Sequence, residues 1–541
     1  MKKYRLLFVG IIATLLTFSG CNQTSESVSN NSEHLSSNEV TSSLEESSIS
    51  YIENPFEEVV MEGAKMELRQ HVFRKGDFIR VFVYDCKPKD WVGIYAKGTE
   101  PGKKTSIVWE YVEQKEYIEF PVSKLSELGT YDVFLCANDG YIVLDKDEIR
   151  VNDDDTTDYC VRDASYNINN QNGVNQLSIT ITPSSLKELT YSLYWSYEGE
   201  KLEDYTPLKV FKSEGKETIT IELNECIFMP ENATGIDVYI DEGMSSSFFI
   251  EMDDTLKLPK SNYLYNFQVF SDIHIQDCFM NHYSHLNTAL KEVLRFAGNS
   301  EAIFTVGDNT NRGQENDYIL LNSIIDSVFK EDVVHPSIYF SLGNHEYMYT
   351  SSFDSAIEMF KKYTKVENTY YSVEIQGCKF IVLGSNVKTL EGSLDDKQIN
   401  WLKEQLSQVD KEKPTFLFLH QPLYNTVSGS LPGQGWDGMR NVSNTIKDVL
   451  KDYPNAILFT GHTHWTLDSK QPALYGKGIN ASFVNAASVG YLWNDEDKEE
   501  PGSEGLFIEV YEDYILIKGR EFVDEKWVSS VQFIFQITKN V

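Results

Sequence analysis

Five short hydrophobic runs in the second half of the chain each end in residues that bind metal ions. The runs are rich in β-branched and aromatic residues and stop at turn residues, which is typical of buried strands. They read YNFQVF, AIFTV, SIYFSL, TFLFL and AILFT. The residues that follow them are Asp272 and His274, then Asp308, then Asn344, His345 and Glu346, then His420, and finally His462 and His464. Because ligands gather at the carboxyl ends of strands in open α/β sheets, we expect these side chains to meet at one edge of one sheet.

The types of side chain in these clusters predict a site for two metal ions. Carboxylate and amide oxygens mixed with imidazole nitrogens suit Zn, Fe or Mn rather than Ca or Mg alone. The candidate ligands are Asp272, His274, Asp308, Asn344, His420, His462 and His464. These seven ligands are more than a single first-row ion normally takes from a protein. Two ions that share one carboxylate would use all of them and leave positions for water and substrate.

In their order along the chain, these motifs resemble those of the calcineurin-like metallophosphoesterases. The motifs are Asp-x-His, Gly-Asp, Gly-Asn-His-Glu, a lone His and Gly-His-x-His, and the resemblance covers roughly residues 264 to 536. It implies the following ligand sets: Asp272, His274, Asp308 and His464 for one metal, and Asp308, Asn344, His420 and His462 for the other. Asp308 would then bridge the two ions.

The same resemblance implies hydrolysis of phosphate esters by a hydroxide held between the ions. His345 would protonate the leaving oxygen or stabilise the phosphoryl charge. Alternatively, His345 would make an outer hydrogen bond to Asp308 or to phosphate. Glu346 would orient its neighbours.

Two positions differ from those of a related group. Purple acid phosphatases carry a Tyr where Asn311 stands, and they lack the equivalent of His274. We therefore expect no strong visible charge-transfer band from this chain when it is loaded with metal.

Possible substrate contacts lie near these motifs. Arg312 and Arg440 could hold a phosphate or be ordinary surface arginines. Trp436, Trp465 and Tyr347 could stack on an organic leaving group or pack in the interior, and the same alternatives apply to the more distant aromatic residues Trp91, Trp109 and Trp195.

The N-terminus predicts export and a lipid anchor. Basic residues precede a short apolar run, Leu6 to Leu16, so residues 1–20 are typical of a signal peptide. Cys21 follows Ser-Gly as in a bacterial lipobox, which implies cleavage before Cys21 and a lipid on its sulfur; the alternative is an ordinary signal peptide with an incidental Cys. Residues 21–54 then form a lipidated, disordered tether. We expect the protein outside the cytoplasm, anchored to the bacterial cell membrane.

The length of 541 residues predicts a multidomain chain. Residues 55–152 and 156–255 consist of short strand-like runs between turns, which predicts two β-sandwich modules, the first similar to Ig or fibronectin-III domains. Residues 256–541 alternate strands and helices, which predicts a four-layer α/β metallophosphoesterase domain with β-sheets flanked by helices. Cys86 and Cys136 form a disulfide or remain separate buried thiols.

Charge and motifs together limit the function. The net charge of −34 argues against a nucleic-acid-binding surface. The favoured function is a membrane-anchored two-metal phosphoesterase that acts on phosphate mono- or diesters, in small molecules or envelope polymers. The alternative is a surface-binding or adhesion lipoprotein with an inert phosphoesterase-like domain. The sequence does not give the natural substrate, the metals or the oligomeric state.

Overall fold

The computed structural model describes residues 63–539, apart from 69, 75–77, 153–160, 172–173, 184–188, 214–217, 226, 241–246, 437 and 476–479. The predicted signal peptide, Cys21 and the tether lie outside the described residues. Within the described part, no helix combines the length and apolarity needed to cross a membrane.

Residues 63–152 consist mostly of strands. These are β1 (Lys65–Glu67), β2 (Val72–Arg74), β3 (Phe78–Tyr84), β4 (Trp91–Ala96), β5 (Val108–Tyr111), β6 (Tyr117–Pro121), β7 (Gly129–Cys136) and β8 (Val143–Asn152), with a short 3-10 helix at Val122–Lys124. They form a three-stranded sheet, β1-β3-β6, and a five-stranded sheet, β2-β8-β7-β4-β5. One hydrophobic cluster takes Ile79 and Phe120 from the first sheet and Val92 and Val133 from the second. Cys86 and Cys136 are separate thiols, so the candidate disulfide is absent here.

Residues 161–251 also consist mostly of strands. These are β9 (Val161–Gln171), β10 (Val174–Pro183), β11 (Leu189–Tyr197), β12 (Glu200–Lys201), β13 (Lys209–Ser213), β14 (Ile219–Glu225), β15 (Gly235–Ile240) and β16 (Ser247–Glu251). One sheet has the order β14-β10-β9; the other has the order β12-β11-β15-β16, with β13 also paired to β11. Ile179 of one sheet and Val238 of the other belong to the same hydrophobic cluster. A short 3-10 helix, Asp254–Leu256, follows.

From Tyr263 onward, strands alternate with helices and then return to strands. The strands are β17 (Tyr263–Phe270), β18 (Ala302–Thr305), β19 (Ser337–Phe340), β20 (Tyr371–Ile375), β21 (Cys378–Val382), β22 (Thr415–Phe418), β23 (Ala456–Thr460), β24 (Ala473–Leu474), β25 (Ser482–Asn485), β26 (Leu492–Trp493), β27 (Glu499–Glu500), β28 (Glu504–Tyr511), β29 (Tyr514–Glu521) and β30 (Lys526–Gln536). The helices are α1 (Met280–Ala297), α2 (Glu315–Val328), α3 (His345–Met348), α4 (Phe353–Thr364), α5 (Asp396–Ser407) and α6 (Ser443–Leu450).

This C-terminal part is built from two six-stranded sheets between helices. The sheet orders are β19-β18-β17-β28-β29-β30 and β20-β21-β22-β23-β25-β24. Phe267 and Phe304 of the first sheet pack against Phe380 and Phe418 of the second. Apolar faces of α1, α2 and α4 cover the outer side of the first sheet, and α5 and α6 cover the outer side of the second. The layer order is helix, sheet, sheet, helix, and the predicted C-terminal domain of sheets and helices is confirmed.

The expectation that all five motifs lie at the edge of one sheet is wrong. The strands β17, β18 and β19 are parallel neighbours in the first sheet, whereas β22 and β23 are parallel neighbours in the second. Both sheets bury both faces, so their strands read as continuous apolar runs that do not reveal sheet membership. The motifs converge because the two sheets bring the carboxyl ends of these strands to the same place.

The second strand-rich region contacts the last strand of the C-terminal part. The indole Nε1 of Trp195 lies 3.4 Å from the carbonyl oxygen of Ser529. Thr206 N donates to Trp527 O at 2.9 Å, and Ile227 forms a bridge with Phe533. Trp195 has no exposed surface, so this tryptophan is a packing residue rather than a ligand-binding one.

Candidate metal centre

The structure brings all seven predicted ligands together. The ligand atoms of Asp272, His274, Asp308 and His464 lie within 4.8 Å of one another, and so do those of Asp308, His420 and His462. Asp308 belongs to both groups. Asn344 joins the second group, since its Oδ1 lies 3.0 Å from His420 Nε2. None of the seven side chains belongs to a residue more than 4% exposed.

The hydrogen bonds of His420 leave a lone pair that faces other acceptors. Its Nδ1 lies 2.7 Å from the carbonyl oxygen of Val306, so Nδ1 carries the proton. Its Nε2 lies 3.1 Å from Asp308 Oδ2 and 3.0 Å from Asn344 Oδ1. These atoms are all acceptors when the imidazole is neutral. They fit a cation placed among them.

The first group, which contains Asp272 and His464, has the same character. His464 Nδ1 lies 3.2 Å from Tyr491 O, and its Nε2 lies 3.0 Å from Asp272 Oδ1. Asp272 Oδ1 is buried without a hydrogen-bond donor from the described residues. A buried carboxylate oxygen without a donor is expensive unless a cation binds it. The donor set therefore fits metal ions at both groups.

The electrostatics of the centre favour positive charge. Burial lowers the pKa of His420, but Asp308 and Asp272 outweigh burial and raise this pKa to about 9. Burial lowers the pKa of His274 to about 4 and, together with the nearby His420, that of His462 to about 3. Burial raises the pKa of Asp308, but the neighbouring imidazoles, His420 first, hold it well below its usual range. The Asp308 carboxylate is therefore ionised, and the His274 and His462 imidazoles are neutral, as ligands must be.

Five of the ligands have a left-handed backbone. The φ angles are 52° for Asp272, 51° for His274, 49° for Asp308, 69° for His462 and 60° for His464. Such angles are uncommon for residues other than glycine and cluster at functional sites. Asp272 N donates to Gly307 O at 3.1 Å, and His274 N donates to Asp308 O at 2.9 Å. These bonds tie the first two motif loops to each other.

Close backbone approach explains two of the motif glycines. A Cβ on Gly343 would lie 2.2 Å from Asp308 Oδ1, and a Cβ on Gly461 would lie 1.8 Å from Ser271 Oγ and 2.4 Å from Asp272 Oδ2. All three distances are far below any real Cβ contact. Any larger residue at either position would displace a metal ligand.

Comparisons with known proteins agree with this geometry. Residues 265–466 match the family model for calcineurin-like phosphoesterases. These residues form a calcineurin-like phosphoesterase domain.

Among curated proteins, purple acid phosphatase 18 from Arabidopsis thaliana is 34% identical over 99 residues, which are 18% of this chain and 21% of that protein. This chain thus matches only about a fifth of that relative's length. Among solved structures, purple acid phosphatase PPD1 from yellow lupin (Lupinus luteus) seeds has a TM-score of 0.37 at 11% identity over 87% of this chain and 96% of that one. Vacuolar protein sorting 29 from Cryptosporidium parvum has a TM-score of 0.26 at 12% identity over 51% of this chain and 100% of that one.

In the phosphoesterase domain, Glu346 accepts hydrogen bonds from the backbone of the loops that carry the candidate ligands. Its carboxylate accepts from Asp308 N at 3.0 Å, from Thr310 N at 3.0 Å and from Gly343 N at 2.8 Å. Burial and Asp308 raise the pKa of Glu346 to about 7. One side chain therefore fixes two of the motif loops, as predicted for a residue that orients its neighbours.

His345 lies at the edge of the centre. Its backbone N donates to Asp308 Oδ1 at 2.7 Å, and its Nδ1 lies 2.8 Å from Asn311 O. Its Nε2 lies 4.0 Å from Asp308 Oδ2, and its side chain is 19% exposed. The ring thus faces the same centre as the ligands but keeps contact with solvent.

Sequence reasoning missed the roles of two residues. Asn311 Oδ1 lies 3.1 Å from His274 Nδ1, so this amide fixes the orientation of a ligand. The Tyr491 ring lies 4.2 Å from the His464 ring and 5.2 Å from the His274 ring. Nothing in the local sequence pattern marks Tyr491, because it follows the last motif by more than twenty residues.

The expectation that the metal-loaded protein has no strong visible charge-transfer band stays a prediction.

Several candidate substrate contacts have other roles. Arg312 is held by Asp317 and Asp277. Trp465 is 1% exposed and Tyr347 is fully buried, so both are packing residues.

Two tryptophans of the first strand-rich region differ in exposure. Trp91 is 6% exposed and Trp109 is 50% exposed. Both line a surface cavity of about 380 Å³ in that region, far from the metal ligands in sequence.

Proposed function

We propose that the chain is a two-metal phosphoesterase that hydrolyses phosphate mono- or diesters. The observation that carries this proposal is the convergence of seven buried ligands into two groups that share Asp308. Two groups with one common carboxylate suit two ions, for which Mn, Fe and Zn are the candidates. When bound, such ions supply Lewis acidity, which withdraws charge from phosphoryl oxygens and lowers the pKa of water.

Other side chains of the protein position the candidate ligands and supply a proton to the leaving oxygen. His345 can hold a proton at Nε2 while its Nδ1 stays bonded to Asn311 O, so it can protonate the leaving oxygen of the ester. Its partial exposure lets the proton be replaced from solvent. Glu346, Asn311 and Ser271 hold the ligands Asp308, His274 and Asp272 in place through the hydrogen bonds that they make to them. Burial of the ligands excludes bulk water from the charged centre.

The decisive test compares the native chain with Asp308→Asn. We expect the native chain to bind about two metal ions and to hydrolyse nitrophenyl phosphate or bis-nitrophenyl phosphate. Asp308→Asn should lower kcat/KM by about a hundredfold or more and lower the metal content, since the shared carboxylate is lost. Asp448→Asn, an exposed residue of α6, is the matched control and should behave as the native chain.

Failure of the native chain to hydrolyse any phosphoester with Mn, Fe or Zn would favour the alternative, a surface-binding lipoprotein with an inert domain. The complete set of ligands supports the enzyme instead. The ratio of rates on the two nitrophenyl substrates would separate a monoesterase from a diesterase.

We further propose that the protein acts outside the cytoplasm, with a lipid on Cys21 as its membrane anchor. The basic and apolar N-terminal segment followed by Ser-Gly-Cys supports this location. Mass spectrometry of the mature protein should find an acylated N-terminal Cys21, and Cys21→Ala should move the protein from the membrane fraction to the medium. An unmodified, membrane-free native protein would contradict the anchor.

The two strand-rich regions are proposed to be two β-sandwich modules, within residues 55–152 and 156–255. In each region, one hydrophobic cluster draws on two sheets, which supports a sandwich. An experimental structure in which the paired sheets of either region did not share a core would contradict it.

A further inference from the structure

The metal centre opens on the side of three histidines. Asp272, His274 and His420 have no exposed surface. In contrast, His462 and His464 are 4% and 3% exposed, and His345 is more exposed than either. These histidines are therefore the side of the centre that lies nearest to solvent.

Trp436 lies on this open side. Its ring centre is 5.4 Å from that of His462, nearly perpendicular, and 6.5 Å from that of His464, at 30°. The ring is only partly buried. Its backbone N donates to Gly429 O at 3.2 Å, and Gln434 Oε1 accepts from Gly429 N at 2.6 Å. These two bonds close the loop and hold the indole beside the ligands.

Two further rings border the same opening. Tyr491 is half-buried and contacts His464, and Tyr349 is 61% exposed with its ring centre 5.3 Å from that of His345. These rings come from loops other than that of Trp436. The rim of the centre therefore carries aromatic rings from several loops. Each of these residues is partly exposed to water, which is unfavourable for an aromatic ring unless the ring has a binding role.

The charges near the rim do not suit a highly charged substrate. Arg312 is paired with aspartates, and the Arg440 guanidinium lies 4.0 Å from the ring centre of Tyr424. The carboxylate of Asp495 accepts from Gln434 Nε2 at 3.2 Å, so a negative charge stands beside the loop of Trp436. Both candidate arginines have protein partners, and the charge beside the Trp436 loop is negative, which favours an ester with one phosphate and an uncharged aromatic group over a polyphosphate.

We propose that Trp436 determines specificity by stacking on an aromatic ring, either a nucleobase or an aryl group, that the phosphoester carries. This inference rests on the proposed phosphoesterase function and names the substrate class of the same site. Stacking on an aromatic side chain tolerates any flat ring, because every such ring has a π-face.

Pairs of substrates with the same scissile bond test the proposal. Adenosine 5′-monophosphate and ribose 5-phosphate differ only in the base. Benzyl phosphate and cyclohexylmethyl phosphate form a second pair, because their alcohols share the same P–O–CH2 linkage and only the first carries an aromatic ring. We expect the native chain to prefer the aromatic member by about tenfold in kcat/KM. Trp436→Ala should lose this preference, and Trp436→Phe should keep most of it.

Trp109→Ala is the matched control, because Trp109 is exposed but lies in the first strand-rich region. A preference for adenosine 5′-monophosphate alone assigns a nucleobase, and a preference for benzyl phosphate alone assigns an aryl group. A preference that survives in Trp436→Ala would overturn the role of this residue.

Measurement of substrate affinity tests the stacking role of Trp436 separately from the proposed phosphoesterase activity. The dissociation constants of the same compounds are measured with the manganese-loaded full chain. Tighter binding of the aromatic members that disappears in Trp436→Ala supports the inference, even if nothing is hydrolysed and the phosphoesterase function fails. Equal affinity of the native chain for aromatic and aliphatic members overturns the inference, even if both are hydrolysed.

Discussion

The ligand residues adopt backbone conformations that side chains other than glycine disfavour. A left-handed residue with a Cβ is less stable by about 1–2 kcal/mol. Five ligands share this feature, so the surrounding contacts must maintain it. The carboxylate of Glu346 and the close approach of Gly343 and Gly461 supply such contacts. The shape of the centre is thus set by residues that bind no metal.

Gly461→Ala tests whether the geometry of the candidate ligands depends on the absence of a Cβ at this position. The backbone of Gly461 has no positive φ, so alanine is conformationally allowed and only its Cβ matters. That Cβ would collide with Ser271 and Asp272, so we expect the free energy of unfolding to fall by about 1–3 kcal/mol and the metal content to drop. Denaturant titration and metal analysis measure the two effects.

The matched control is Gly140→Ala, because a Cβ there meets its nearest neighbour, Ala137 O, at 3.2 Å. Native-like stability and metal content in Gly461→Ala would contradict the prediction, because the loops would then accommodate the extra methyl group.

His420 predicts that metal binding releases a proton. In the metal-free chain its pKa is raised to about 9, so at pH 7 a proton occupies the place of a cation. Metal affinity should therefore rise with pH and level off above about 9. By the same linkage, the contribution of His420 to the stability of the metal-free chain is present at low pH and is lost as the pH rises through 9.

Calorimetric titration with Mn²⁺ in buffers of different ionisation enthalpy measures the proton release. We expect about one proton from this histidine at pH 7, and less from His420→Asn. Heats that do not depend on the buffer at pH 7 would contradict the prediction.

At the scale of elements, the sequence predicted the strands better than their arrangement. The five apolar runs are strands because β-rich residues fill them and turn residues end them, which is local information. Whether two runs share a sheet depends on distant partners such as β28, which completes the first sheet from the far end of the chain. The difference between local and distant information also explains why the sequence predicted the candidate ligands but not the residues that contact them. Asp308 is marked by its motif, whereas Tyr491 reaches the centre only through the tertiary fold.

A buried ion pair joins the first helix to the last hairpin. Arg520 of β29 donates from Nε to Glu292 of α1 at 2.9 Å, and both side chains are at most 5% exposed. The guanidinium also lies 4.8 Å from the ring centre of Phe296 and 4.9 Å from that of Trp527. Removal of one partner would leave a buried charge without its counter-charge.

Glu292→Gln should therefore lower the free energy of unfolding by about 3 kcal/mol. The control is Glu525→Gln, because Glu525 is 54% exposed and pairs with Arg295 at the surface, where an ion pair contributes about 0–1 kcal/mol. Chemical denaturation of both variants gives the comparison. Equal stabilities of the two variants would mean that the buried pair contributes no more than the exposed one.

At the scale of the molecule, the hydrophobic cores are built from apolar side chains and not from the candidate ligands. One hydrophobic cluster fills the space between the two sheets, and two others lie under the helices. The second strand-rich region packs on β30 through Trp195 and Thr206, away from the motif loops. The burial that stabilises the fold therefore does not depend on the ions.

Removal of metal by a chelator should consequently leave the fold intact. We expect unchanged far-ultraviolet circular dichroism and a lower Tm, because an ion present at about a hundred times its Kd stabilises the folded chain by about 2.7 kcal/mol per site and contributes nothing to the secondary structure itself. Loss of secondary structure on chelation, as in small zinc domains, would contradict this.

The left-handed turns at the ligands also bear on how the protein is supplied with metal. Protein hydrogen bonds hold the shape of these turns, so we expect an emptied centre to keep its outline. Ions can then leave and be replaced without refolding, and competition among the available ions decides the occupant. Cells grown on media of different metal content should yield the same folded protein with different ions inside it.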